Sequence, residues 1–257
     1  MIRVAAVGDV HFKEDSRGKL REHWGRVNEC ADVFLLAGDL TTHGEVDQIE
    51  VLVDELRAVR VPIVAVLGNH DYHSDDEAAI RRELERGGVR VLEGERVVLE
   101  INGQTLGIAG TKGFGGGFPG ACASVFGEPE MKAFVFHTQE MANTLGENLR
   151  ALETDYRVAL LHYSPVQETL EGERLEIYPF LGSYLLAEAI DGAGADLVLH
   201  GHAHMGQEKG LTRRGIPVRN VALPVLSHSF AVYHLESHRM LPSAAEEAVE
   251  EPVPTPS

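Results

Sequence analysis

Five short apolar runs punctuate the chain, and a polar side chain follows each. Residues 2–8 (IRVAAVG) lead to Asp9, and residues 33–37 (VFLLA) lead to Gly38-Asp39. Residues 61–67 (VPIVAVL) lead to Gly68-Asn69, residues 157–161 (RVALL) to His162, and residues 196–199 (DLVL) to His200-Gly201-His202. Apolar runs of this length without alternation predict strands buried on both faces. Between them the period changes. Residues 45–60 space Val46, Ile49, Leu52, Val53 and Leu56 as one helical face, with acidic residues leading and arginines closing, which suits the helix dipole. Residues 75–86 read similarly around Ala79, Ile80 and Leu84, and Gly87-Gly88 stops them. A long helix is predicted over 128–153 with a weak point at Gly146, and another over 182–190, before Gly192.

Strand–helix alternation in the first 70 residues predicts a βαβ start. Later segments suggest a mixed sheet. Strands are expected at 89–92, 96–101 and 105–109, with Asn102-Gly103 as a hairpin turn. Residues 216–222 and 230–235 are expected to pair with each other. The fold class is therefore α/β. No linker divides the chain, so residues 1–240 read as one domain. Residues 241–257 (LPSAAEEAVEEPVPTPS) have little to bury and read as an acidic, Pro-rich disordered tail.

At 257 residues the chain needs no disulfide to hold a core. Its two cysteines, Cys30 and Cys122, fit a reducing compartment, with Cys30 expected as a small buried side chain in a helix. The N-terminal MIRVAAVGDVH lacks a secretory apolar region, and no run reaches transmembrane length. A cytoplasmic protein without a membrane partner is expected. The net charge of −17 disfavours nucleic acid as a partner bound through a broad basic face. It does not exclude nuclease activity, because bound cations would dominate the near field.

The residues at the strand ends carry the chemistry. They are Asp9 and His11, Asp39, Asn69 and His70, His162, and His202 and His204. Ligands of open α/β sheets bind beyond the carboxyl ends of the strands, which would bring these distant positions together. Donors two residues apart, as in Asp9/His11 and His202/His204, face one side of an extended chain. Oxygen and imidazole donors without thiolate suit Mn²⁺, Fe, Zn²⁺ or Co²⁺. Gly8, Gly38, Gly68 and Gly201 each precede a candidate ligand, where a missing Cβ permits a close backbone approach. No P-loop lysine and no G-x-S-x-G elbow occurs.

GDVH at 8–11, GD at 38–39, GNHD at 68–71, the lone His162 and GHAH at 201–204 resemble, in this order, the calcineurin-like metallophosphoesterases. The resemblance runs from residue 2 to about 235. It implies an αββα sandwich, a two-layer mixed β-sandwich flanked by helices, around a centre of two divalent or mixed-valence transition-metal ions (Mn²⁺, Fe²⁺/Fe³⁺ or Zn²⁺). By resemblance, Asp9, His11, Asp39 and His204 hold one metal. Asp39, Asn69, His162 and His202 hold the other, with Asp39 bridging. His70 then stands over the substrate as proton donor or transition-state stabiliser, with Asp71 expected either to hold it or to cap the next helix. A metal-bridging hydroxide would attack phosphorus. His200 falls outside the motif and is expected to be structural.

The stretch Thr111 to Gly120 (TKGFGGGFPG) is too irregular for a dinucleotide fingerprint. It reads as a mobile surface loop, an oligomer contact, or a loop touching substrate through Lys112, Phe114 and Phe118. His73 is a further candidate on the rim, and Tyr178-Pro179-Phe180 a candidate wall. The function expected is hydrolysis of a small phosphodiester. A phosphomonoesterase, a protein phosphatase and a non-catalytic metal-binding scaffold are the alternatives. Oligomeric state is open.

Overall fold

The computed structural model describes residues 1–236. The proposed tail and the last residues of the expected 1–240 domain lie outside them. In chain order the strands begin with β1 (Ile2–Val7), β2 (Val33–Ala37), β3 (Ile63–Val66) and β4 (Val89–Val91). Next come β5 (Glu95–Ile101), β6 (Gln104–Thr111), β7 (Gly117–Phe118), β8 (Ala121–Cys122) and β9 (Tyr156–Leu161). The last are β10 (Leu197–His200), β11 (Lys209–Leu211), β12 (Pro217–Asn220) and β13 (Ala231–Leu235). The helices are α1 (Arg21–Gly25), α2 (Val27–Cys30), α3 (Val46–Leu56), α4 (Glu77–Arg86) and α5 (Pro129–Arg150), then α6 (Tyr178–Leu181), α7 (Tyr184–Ala193) and α8 (Leu223–Leu226).

Two mixed sheets result. One has the order β13-β1-β2-β3-β4, the other β11-β12-β10-β9-β6-β5. Side-chain alternation explains why the strands look apolar throughout. Ile2, Val4 and Ala6 of β1 point between the sheets, with Val33 and Leu35 of β2 and Val158 and Leu160 of β9. Ala5 and Val7 point the other way, into a core closed by α3 and α4 through Ile49, Leu52, Ile80 and Leu84. Across the molecule, Ala159 and Leu161 of β9 meet Leu145, Leu149, Leu186 and Ile190 of α5 and α7. The layers are therefore helix, sheet, sheet, helix, a mixed α/β sandwich as expected.

The structure differs from the sequence reading in one strand pairing, in the extent of two helices and in the burial of one cysteine. The expected pair 216–222 and 230–235 does not form. β12 runs parallel to β10 in one sheet, and β13 runs antiparallel to β1 in the other. The turn of α8, closed by Ser227 at φ 56°, carries the chain between them. Helix α5 passes through Gly146 without a break, and α7 passes through Gly192 to end before Gly194 at φ 86°. Cys30 is half-buried at the end of α2, not in the core. The Asn102-Gly103 hairpin forms as expected, with both residues at positive φ.

Candidate metal centre

The parallel strands β1, β2, β3, β9 and β10 all deliver their carboxyl ends to one side of the sandwich. Two groups of donors meet there. Asp9, His11, Asp39 and His204 offer ligand atoms within 4.8 Å of one another, and Asp39, His162 and His202 form a second such group. Asp39 is common to both. Its Oδ1 accepts the His70 backbone N–H at 2.8 Å and lies 3.3 Å from His162 Nε2. Its Oδ2 lies 3.8 Å from His11 Nε2. Asn69 Oδ1 lies 3.0 Å from His162 Nε2, joining the second group.

The backbone is bent to achieve this. Asp9, His11, Asp39 and His202 all occupy the left-handed region, with φ of 56°, 43°, 49° and 70°. Such residues each carry roughly 1–3 kcal/mol of strain and persist where surrounding structure holds them. The preceding glycines serve close approach. A Cβ on Gly201 would collide with the Asp9 carboxylate, and one on Gly68 with that of Asp39.

The donor set fits cations. Asp9 and Asp39 are 2% and 1% exposed, yet among the described residues histidines are their only ion-pair partners. Buried carboxylates need countercharge. The site shows the same demand at His162. Burial opposes its charge, but Asp39 overrides that and drives its pKa up to about 9. The Nε2 atoms of His11 and His204 approach to 3.4 Å, an arrangement that converging ligands adopt. His162 Nδ1–H donates to Ala37 O at 2.9 Å, fixing the ring so that Nε2 faces the site. His202 is pushed down to about 4, chiefly by burial, and so is held neutral, as a ligand must be.

His70 is held by main chain. Its Nδ1–H donates to Thr42 O at 2.7 Å, and its Nε2 lies 3.9 Å from Asp39 Oδ2. Asp71 neither holds His70 nor caps α4, which corrects its expected role. Its buried carboxylate instead accepts from Leu40 N, Thr41 N, Thr41 Oγ1 and Gly68 N at 2.7–3.1 Å. It ties the turn after β2 to the turn after β3. His200 is structural as expected: fully buried, with Nδ1 2.7 Å from Gly201 O and Nε2 2.9 Å from Thr169 Oγ1.

The glycine-rich stretch is not a surface loop. From Thr111 to Phe118 it is buried apart from half-buried Phe114. Gly116 N donates to Pro179 O and Gly117 N to Gly182 O. Phe118 is 2% exposed among Leu170, Tyr178, Leu181 and Ala203, and so is no substrate contact. Phe114 packs on Phe134, His137 and Tyr163. His73 is exposed, its ring 6.1 Å from His43, and joins neither donor group. Phe180 does border the site, its carbonyl 3.2 Å from His202 Nε2. The supporting carbonyls of Ala37, Thr42 and Phe180 left no side-chain signal to read. Tyr163, whose ring centre lies 4.4 Å from that of His202, could have been suspected from its place directly after His162.

The profile of the calcineurin-like phosphoesterases matches residues 2–206. The chain belongs to this family. Its members' fold recurs in solved structures at low identity. The phosphopantetheinyl hydrolase of Mycobacterium tuberculosis aligns with TM-score 0.68 and 14% identity, covering 91% of this chain and 96% of that one. A Thermus thermophilus protein aligns with TM-score 0.54 and 14% identity, covering 91% and 98%. GAP50, the anchor in the inner membrane complex of Plasmodium, aligns with TM-score 0.55 and 12% identity, covering 87% and 72%. At these identities the likeness concerns the fold. No curated protein matches the sequence. Family and donor groups together support a divalent metal cofactor, and a hydrolase acting on phosphate esters. Among the described residues, no helix is long and apolar enough to cross a membrane.

Proposed function

We propose that this chain is a dinuclear metal-dependent hydrolase of a small phosphodiester. The supporting observation is the position of Asp39 in both donor groups. Asp9, His11, Asp39 and His204 would hold one cation, and Asp39, Asn69, His162 and His202 the other. Mn²⁺, Fe or Zn²⁺ bound there would supply Lewis acidity to a phosphoryl group and a lowered pKa to water. The remaining work falls to the chain. With Nδ1–H committed to Thr42 O, His70 presents Nε2 beside Asp39. A proton held at Nε2 is placed to reach the leaving oxygen. Asp71 acts on this site only through the two turns it joins. A diester puts one negative charge on its phosphoryl group, which suits a cleft in a chain of net charge −17.

Chromogenic mono- and diesters sharing one leaving group test the ester class. We expect kcat/KM at least tenfold higher for the diester. A monoester preference would overturn the diester reading and leave a phosphomonoesterase.

A further inference from the structure

Lys112 is the cation that the proposed mechanism does not use. It is 6% exposed, and among the described residues its ammonium makes no hydrogen bond or ion pair, while the Nζ itself stays open to solvent. Three aromatic rings surround it instead. The Nζ lies 4.6 Å from the centre of the Tyr72 ring, 5.1 Å from Phe114 and 5.6 Å from Tyr163. Cation–π contact offsets part of the desolvation of an ammonium, but it supplies no acceptor for three N–H donors. The fully buried Glu55, by contrast, is met directly by the Gly18, Leu20 and Arg21 backbone N–H groups.

The place of Lys112 is fixed by the same turn that builds the metal centre. Its carbonyl accepts from the His162 and Tyr163 backbone N–H groups at 3.1 and 3.0 Å. This locks the end of β6 to the end of β9. The Tyr163 ring lies 4.4 Å from the His202 imidazole centre and 5.6 Å from the lysine Nζ. Its hydroxyl makes no hydrogen bond among the described residues and is open to solvent. Burial pulls the pKa of Lys112 down, and Glu93 and Asp39 offset this only in part; the Glu93 carboxylate is itself engaged by Leu67 N and Tyr72 Oη at 2.9 and 3.0 Å. An unpaired ammonium and the unpaired hydroxyl of a neighbouring ring are therefore found beside the donor groups.

We propose that Lys112 and the Tyr163 hydroxyl form an anion subsite beside the metal centre. The natural substrate then carries a second anionic group, a carboxylate or a phosphate, on the moiety attached to its scissile phosphate. This rests on the phosphoesterase reading of the centre. It accounts for a largely buried lysine without a direct partner in a site otherwise built from carboxylates and imidazoles.

A ladder of ω-carboxyalkylphosphonates, each matched to an alkylphosphonate of equal length, measures the subsite. Calorimetry on the metal-loaded full chain gives the Kd of each. At one chain length we expect the carboxylated member to bind at least tenfold tighter than its alkyl partner. Lys112→Met fills the same aromatic cage without charge. It is expected to abolish that preference while changing alkylphosphonate affinity less than threefold. Tyr163→Phe is expected to reduce the preference partly, which keeps the test open should Lys112→Met fail to fold. No preference at any length, or a preference that survives Lys112→Met, overturns the subsite and leaves the metal centre intact. Failure of every phosphonate to bind the metal-loaded chain overturns the phosphoesterase reading, and the subsite with it.

Discussion

His70 and Asp71 are adjacent in sequence and divide two tasks. His70 is 41% exposed on its side chain and faces the cleft, whereas Asp71 is fully buried under four donors. His70→Ala should lower kcat by about 10²–10⁴-fold with metal content unchanged. Loss of bound metal in parallel would show that His70 shapes the ligand set instead. Asp71→Asn places an NH₂ group against N–H donors. It should cost on the order of 1–3 kcal/mol of stability, read as a lower denaturation midpoint in urea. An unchanged midpoint with collapsed kcat would return Asp71 to the chemistry. Glu93 yields a pH effect. Burial raises its pKa from 4.5 to about 7 against the bonds from Leu67 and Tyr72. Between those values the folded chain keeps a proton that the unfolded chain has released. The residue's contribution to stability therefore declines as pH rises through this window. Glu93→Gln should flatten that part of the stability–pH curve and gain on the wild type from pH 5 to pH 8. Parallel curves for the two proteins would contradict the shift.

At the scale of elements, two glycines have opposite roles. Gly201 admits the Asp9 carboxylate where a Cβ would stand, so Gly201→Ala should displace Asp9 and lower bound metal per chain. Gly146 lies inside α5, where a Cβ would meet only the end of Arg150 at 3.3 Å and Ala189 at 3.5 Å. Gly146→Ala should stabilise the chain by about 0.5–1 kcal/mol, seen as a higher Tm, and a fall would reveal packing against α7 tighter than this geometry. The same contrast shows what the sequence could and could not disclose. β1, β2, β3, β9 and β10 were legible because both faces are buried and the runs are unbroken. The partners of β12 and β13 were not, because strand pairing is a non-local choice that neither segment encodes. Helix α5 outlasted Gly146 because tertiary packing outweighs one residue's propensity. The burial of Phe118 was invisible for a related reason: its pocket is made by Leu170, Tyr178 and Leu181, fifty residues or more away.

On the scale of the whole molecule, the sandwich converts sequence order into proximity. Residues 9, 39, 69, 162 and 202 are brought to one rim because parallel strands end on one side. That is why the donor set could be read from a line of residues, while the Thr42 carbonyl behind His70 could not. Two buried carboxylates, Asp9 and Asp39, that form no lysine or arginine ion pair among the described residues also make stability depend on cations. A ligand that binds only the folded state raises the apparent Tm by mass action. Chelation should therefore lower Tm, and Mn²⁺ or Zn²⁺ should restore it.

The measurement that tests the central claim most directly is a metal titration of the chelator-stripped chain, following bound metal and phosphodiester hydrolysis together. The account predicts that activity appears as the stoichiometry approaches two ions per chain, and that Asp39→Asn abolishes activity and lowers the metal bound. Full activity in the stripped protein, or full activity retained by Asp39→Asn, would contradict it.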